Sequence, residues 1–267
     1  SLSASFGYDP IQNTPTFDVK LGDINMPEYT IREIFEFIEH ADKRCLVVID
    51  EFQQITKYPE KNIEAILRSY IQKLSNANFV FAGSQRTILE EMFLSSRRPF
   101  FQSAKLIQLE AIALPIYQAF VIKHFQEGEK KIMPEAIEKV YTTFRGVTLY
   151  MQRIMKDAYA MTPVGVTCDM ALVDSLIDSF VTENDYRIRE LLAYISEPQK
   201  EVLYAIHEEG QAKSIVSAAF TKKHRLKSPS ATQSAAQKLL EDDILTRNEK
   251  VYSIADPLLI LWLDKKV

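Results

Sequence analysis

Residues 45–52 read Cys45-Leu46-Val47-Val48-Ile49-Asp50-Glu51-Phe52, and this octet decides the fold class. Residues 46–49 form an unbroken aliphatic run, the pattern of a strand buried on both faces of a parallel sheet. The run stops at two carboxylates, Asp50 and Glu51. Ligands of open α/β sheets bind in the crevice beyond the carboxyl ends of the strands, so the pair stands where a ligand is expected. A strand closed by Asp-Glu is also the pattern of a Walker B motif, in which the aspartate holds a magnesium shell and the glutamate orients an attacking water. The plain alternative is a pair of solvated turn residues.

The flanking sequence alternates between strand and helix signals. Upstream, Ile31, Ile34, Phe35 and Ile38 recur at helical spacing, with Thr30 and Glu33 in a capping-box pattern. Residues 1–27, punctuated by Gly7, Pro10, Pro15, Gly22 and Pro27, read as loops with an edge strand around 16–21. Downstream, a loop at Tyr58-Pro59 leads to a helix carrying Ile63, Ile66, Leu67, Tyr70, Ile71 and Leu74. Residues 78–82, N-F-V-F-A, predict a second strand ending in Gly83-Ser84-Gln85. A helix over 87–93 and a third strand over 106–112 complete a parallel α/β winding.

Beyond Pro115 the pattern turns helical. Residues 117–125, 134–144, 149–159 and 170–182 read as helices, the second opened by Pro134 and followed by Gly146. Helices over 198–208, 215–224 and 228–240 then precede a hairpin, 244–247 with 251–254, turned at Asn248-Glu249. Three helices and a two-stranded ribbon predict a winged helix-turn-helix.

Composition bounds the partners. A chain of 267 residues with 46% hydrophobic content buries a sizeable core in one or two domains. A formal net charge of -4 excludes a surface that is basic all over, so any nucleic-acid contact is local. Two cysteines, Cys45 and Cys168, form neither a disulfide framework nor a zinc spacing, which fits a reducing cytoplasm. No apolar run has membrane-spanning length, and no signal peptide opens the chain. The histidines offer no competing catalytic system: His40 and His207 lie near helix ends and His124 lies within an amphipathic helix.

Several segments taken in order resemble the archaeal-type P-loop ATPases, a branch of the AAA+/STAND group related to archaeal replication initiators. They are L-V-V-I-D-E-F-Q-Q-I at 46–55, F-V-F-A-G-S at 79–84, R-P-F-F-Q-S-A at 98–104, G-V-T-L-Y-M at 146–151 and D-P-L-L-I-L-W at 256–262. The resemblance implies the C-terminal portion of an ATPase core over 1–114, a helical lid over 115–184 and a winged-helix domain over 185–267. It implies ATP and Mg2+ as cofactors, Asp50 as magnesium ligand, Glu51 as the water-orienting base and Ser84 as the sensor-1 group near the γ-phosphate. Ser84 also suits a helix N-cap.

Departures from the resembled pattern are as informative. Gln102-Ser103 stands where relatives carry Gly-Arg, which removes an arginine finger there and leaves Arg97 or Arg98 as substitutes or as a solvated pair. Thr148 replaces a lid proline, and adenine packing by that loop is affected. No glycine begins the G-x-x-x-x-G-K-[ST] loop that surrounds nucleotide phosphates. In the resembled fold that loop's strand lies mid-sheet, so the expectation is the later part of a longer ATPase, with a gap in the sheet and weak or absent ATP binding in this chain.

The winged helix offers a second candidate surface. Lys222, Lys223, Arg225 and Lys227 precede the recognition helix, whose exposed face is expected to present Ser230, Gln233, Ser234, Gln237 and Lys238. Lysines and arginines would position a DNA backbone and the glutamines would reach base edges. Glu241, Asp242 and Asp243 close the same helix, and the alternative partner is a protein client. Two functions from different classes therefore stand at this point: a nucleotide-dependent switch ATPase, and a non-enzymatic winged-helix scaffold with a degenerate ATPase core.

Overall fold

A computed structural model of the protein describes residues 2–9, 14–21, 27–59 and 62–266, with side chains from Ile31 onward except that of Thr87. The chain divides into two compact units, Ser1–Ile107 and Gln108–Val267.

The first unit opens with an antiparallel pair, β1 (Leu2–Asp9) and β2 (Thr14–Leu21), in a register that sets Phe6 opposite Phe17. One edge strand is expected from the sequence, and two are present. The apolar positions Leu2, Ala4, Phe6 and Tyr8 alternate with period two, a signal that the neighbouring glycine and proline obscure. Helix α1 (Pro27–Glu39) starts before the predicted Thr30 cap, whose side chain lies outside the described residues. It buries Phe35 and Ile38, and Phe35 stacks on Tyr70 at 5.1 Å and Phe79 at 6.0 Å.

Strands β3 (Cys45–Ile49) and β4 (Ala77–Phe81) pair in parallel, with Val48 opposite Val80. Helices α2 (Ile63–Ile71) and α3 (Arg86–Leu94) follow the two strands in turn, as the α/β winding requires. A 3-10 turn, Phe52–Lys57, occupies the start of the expected loop. The small core of this unit gathers Phe52, Ile55, Ile63, Met92, Phe93 and Phe100.

Two expectations about the sheet are corrected. β3 is covered on one face alone: Leu46 is 69% and Val48 60% exposed, and Val80 beside them is 46% exposed. Residues 106–112 form no strand, and Leu109 is 91% exposed. Apolar content suits that segment to a sheet, but a strand exists only where an edge accepts its backbone hydrogen bonds.

In the second unit, α4 (Leu114–Glu127), α5 (Pro134–Thr143), α6 (Thr148–Met161) and α7 (Met170–Glu183) occupy the four predicted helical stretches. Gly146, at φ 75, makes the turn between α5 and α6, a conformation that favours glycine. A two-residue parallel ladder joins β5 (Lys131–Ile132) to β6 (Thr167–Cys168), too short to leave an alternation in the sequence. A helix absent from the sequence reading, α8 (Asp185–Tyr194), follows α7.

The chain ends in α9 (Glu197–Glu209), β7 (Ala212–Lys213), α10 (Ala218–Lys223), α11 (Pro229–Glu241), β8 (Leu245–Asn248), β9 (Val251–Ile254) and α12 (Pro257–Lys266). The ribbon is three-stranded rather than two-stranded, in the order β7-β9-β8. One hydrophobic core runs from Tyr117 in α4 to Leu263 in α12. Polar ties join the same parts: Tyr150 Oη donates to Asp256 Oδ1 at 2.9 Å and Trp262 Nε1 to Asp185 Oδ1 at 2.8 Å. Among the described residues no helix is long and apolar enough to cross a membrane.

Candidate functional site

The carboxyl end of β3 is set by backbone first. Ala82 N donates to Ile49 O at 2.9 Å and Phe52 N to Ala82 O at 2.9 Å, so the two strand ends stay clasped past the ladder. Between those bonds Glu51 adopts φ 48, ψ 40, the left-handed region. Such a residue is strained by about 1–2 kcal/mol unless it is glycine. Phe52 fixes the turn from beneath: it is 1% exposed, with Phe81 at 4.4 Å, Phe100 edge-on at 5.2 Å and Phe93 at 6.0 Å. A buried aromatic on one side of the pair and a strand on the other leave Asp50 and Glu51 exposed at the sheet end.

Side chains then orient one another. Asp50 Oδ1 accepts from Glu51 N at 2.9 Å. Glu51 Oε2 accepts from Ser84 Oγ at 3.1 Å and also from Gln53 Nε2. The structure thus brings together all three residues predicted for this end of the sheet, and adds Gln53. Ser84 does not cap α3; Gln85 occupies the N-cap, without a side-chain cap bond. No cluster of three or more His, Cys, Asp or Glu side chains among the described residues is arranged to hold a metal. One exposed carboxylate at a strand end is nonetheless the usual protein share of a magnesium site, where phosphates and waters complete the octahedron.

The two arginines suggested as finger substitutes separate. Arg97 is exposed, whereas Arg98 Nη2 lies 2.7 Å from Oε1 of the buried Glu64. Burial pushes the Glu64 carboxyl above its ordinary range, and the charge of Arg98 opposes that rise. Arg98 is a structural partner within its own unit.

On the winged helix, α11 starts at the cap Ser228, whose Oγ accepts from Ala231 N at 3.2 Å, with Pro229 in the first turn. Thr232, Ala235, Ala236 and Leu239 face the core, which leaves Ser230, Gln233, Ser234, Gln237 and Lys238 outside it, as predicted. The basic residues divide. Lys223 Nζ is 2.5 Å from Glu209 Oε1 and Lys238 Nζ is 3.2 Å from Glu241 Oε2, each neutralised within the chain. Lys222, Arg225 and Lys227 are exposed and make no ion pair among the described residues. The His224 side chain, by contrast, is only 3% exposed, with its ring nitrogens 3.2 Å from Glu208 Oε2 and 2.9 Å from Glu209 Oε1.

The family model described as a probable winged helix domain matches residues 186–265. No curated protein matches the chain. Among solved structures, a Walker-type ATPase of Pyrococcus abyssi superposes with a TM-score of 0.65 at 15% identity, over 90% of this chain and 68% of that one. The RuvB Holliday junction branch migration motor of Thermotoga maritima superposes at 0.48 and 14% identity, over 87% and 73% of the two chains. The ADP form of the ORC2 protein of Aeropyrum pernix gives 0.48 and 14%, over 92% and 70%. The chain thus shares its fold with that Walker-type ATPase, and residues 186–265 within it match a winged helix domain.

Proposed function

We propose that this chain is the magnesium- and water-handling part of a nucleotide-dependent switch ATPase. The observation that carries this reading is the convergence of Ser84 Oγ on Glu51 Oε2 at 3.1 Å, beside Asp50, at the carboxyl ends of two parallel strands. In that arrangement Asp50 would hold Mg2+, which would supply charge to offset that of the nucleotide phosphates, while Glu51 would orient the attacking water and Ser84 would sense the terminal phosphate. These 267 residues contain no G-x-x-x-x-G-K-[ST] loop, so on this reading another segment or chain would supply the phosphate-cradling groups. The exposed apolar face of Leu46, Val48 and Val80 supports this, because the faces of a parallel sheet are ordinarily covered. The core shared by the helical part over 115–184 and the winged part over 185–267 gives the switch its lever: one unit moves as a body. A reducing cytoplasm suits the two free thiols.

Hydrolysis assays test the reading on the full-length protein. Glu51→Gln is expected to abolish MgATP turnover and to leave ATP binding intact; unchanged turnover would sink it. This 267-residue chain alone is expected to show weak MgATP binding or none, and titration calorimetry that finds micromolar affinity would contradict the assigned division of labour.

A second reading rests on the winged helix. Lys222, Arg225 and Lys227, without ion pairs among the described residues, border an α11 face of Gln233, Gln237 and serines. The combination suits duplex DNA: charge for phosphates, amides for base edges. Reversal of the three cations to glutamate should weaken DNA binding in fluorescence anisotropy. It should also flatten the log–log salt dependence by about 0.9 for each phosphate no longer neutralised. Binding that ignores the reversal would instead favour a protein client. A scaffold without turnover would keep this behaviour while Glu51→Gln changed nothing.

A further inference from the structure

Gln53 has no place in the roles assigned above, yet it is the most unusual polar residue of the first unit. It is 0% exposed, lies one residue past the buried Phe52, and its Oε1 is buried with no hydrogen-bond partner among the described residues. Its Nε2 donates to Glu51 Oε2, the same oxygen that accepts from Ser84 Oγ at 3.1 Å, while the other carboxylate oxygen accepts nothing among the described residues. A buried amide that satisfies a neighbour at the expense of its own carbonyl is a poor stability device. Position 83 is shaped around it. A Cβ added to Gly83 would lie 2.0 Å from Gln53 Oε1, so a larger residue there would displace the amide from its present position.

The geometry points to Gln53 as a positioning residue that, with Ser84, holds the Glu51 carboxylate by a single oxygen and leaves the second oxygen to take a water. This inference rests on the switch-ATPase reading for its chemistry but not for the hydrogen bond itself. Carboxylates accept only, so the amide must present its nitrogen, and a carboxamide donates without adding charge beside the metal carboxylate Asp50. Glu51, strained at φ 48, is thus fixed by backbone and side chain together.

The test pairs a spectroscopic readout with kinetics. In this chain, selectively labelled with 15N-glutamine, the Gln53 side-chain amide, assigned by its disappearance in Gln53→Met, should shift upfield in Glu51→Ala. An unchanged amide resonance overturns the hydrogen bond whatever the enzyme does. In the full-length protein Gln53→Met, which keeps the volume and removes the donor, should lower kcat about 10–100-fold, with KM within about twofold, as removal of an outer-shell partner does. Its Tm should be unchanged or higher. Gly83→Ala, which crowds Gln53 off Glu51, should reproduce the fall in kcat with the amide still present. Wild-type kcat in Gln53→Met, or a lower Tm with kcat and KM altered together, overturns the positioning role. If the full-length protein shows no MgATP turnover, the ATPase reading falls, and the amide shift alone then decides whether the clasp exists.

Discussion

Arg98 and Glu64 show what a residue's surroundings do to its apparent role. The sequence offers Arg98 as a substitute finger, but its guanidinium reaches Glu64 at 2.7 Å across the interior of its own unit. Removal of Arg98 would leave a buried carboxylate unpaired, at a cost of roughly 1–3 kcal/mol. Arg98→Ala should therefore lower the urea midpoint markedly, whereas Arg97→Ala, at an exposed site, should stay within about 0.5 kcal/mol. Equal effects in the two variants would show that the pair contributes nothing. Asp50 and Glu51 were legible in the sequence because a strand that stops at charge is a local pattern. Ser84 was legible as a polar residue after a strand, but its partner was not. Gln53 was illegible: in a linear reading it is one of two adjacent glutamines, Gln53 and Gln54, of which only the first is buried.

Strand β3 makes the same point one level up. Its composition called for burial on both faces, and period-two geometry together with the absence of a cover on one face produced inner residues Val47 and Ile49 and outer residues Leu46 and Val48. Hydrophobicity states what a strand tolerates, and neighbours decide what it receives. In this chain Val48→Thr should change stability by no more than about 0.5 kcal/mol, because the side chain is 60% exposed. Phe52→Ala, which empties the centre of the aromatic cluster, should cost about 3–5 kcal/mol. Chemical denaturation of the two variants checks both figures, and a costly Val48→Thr would mean that the outer face is covered in solution. The helices were easier to read. Proline starts, serine caps and Gly146 are local signals, and helical periodicity needs no partner from elsewhere in the chain. Helix α8 escaped because it follows α7 after a single residue, Asn184, with no proline or glycine between them.

At the scale of the molecule, the second unit is one packed body, and its polar ties give it an acid-sensitive element. Asp185 accepts from Arg189 Nε at 2.7 Å and Trp262 Nε1 at 2.8 Å, which holds its carboxyl below the usual range. A carboxyl depressed by folding adds stability that is present above its unfolded pKa of about 3.9 and lost as pH falls through the folded value. Asp185→Asn should therefore lower Tm at neutral pH and flatten its decline in the acid range, read from melts between about pH 7 and 2.5. Parallel curves for wild type and variant would refute the assignment. Local pattern was enough for strands β3 and β4, for most of the helices, for the winged helix and for the acidic strand end, because propensity, capping and periodicity act over a few residues. Tertiary structure alone decided which strand face is covered, that residues 106–112 form no strand among the described residues, that Arg98 turns inward, and that Gln53 and Ser84 meet on one oxygen of Glu51. Each of those outcomes depends on groups far apart in sequence or on the presence of a neighbour, and no window along the chain contains that information.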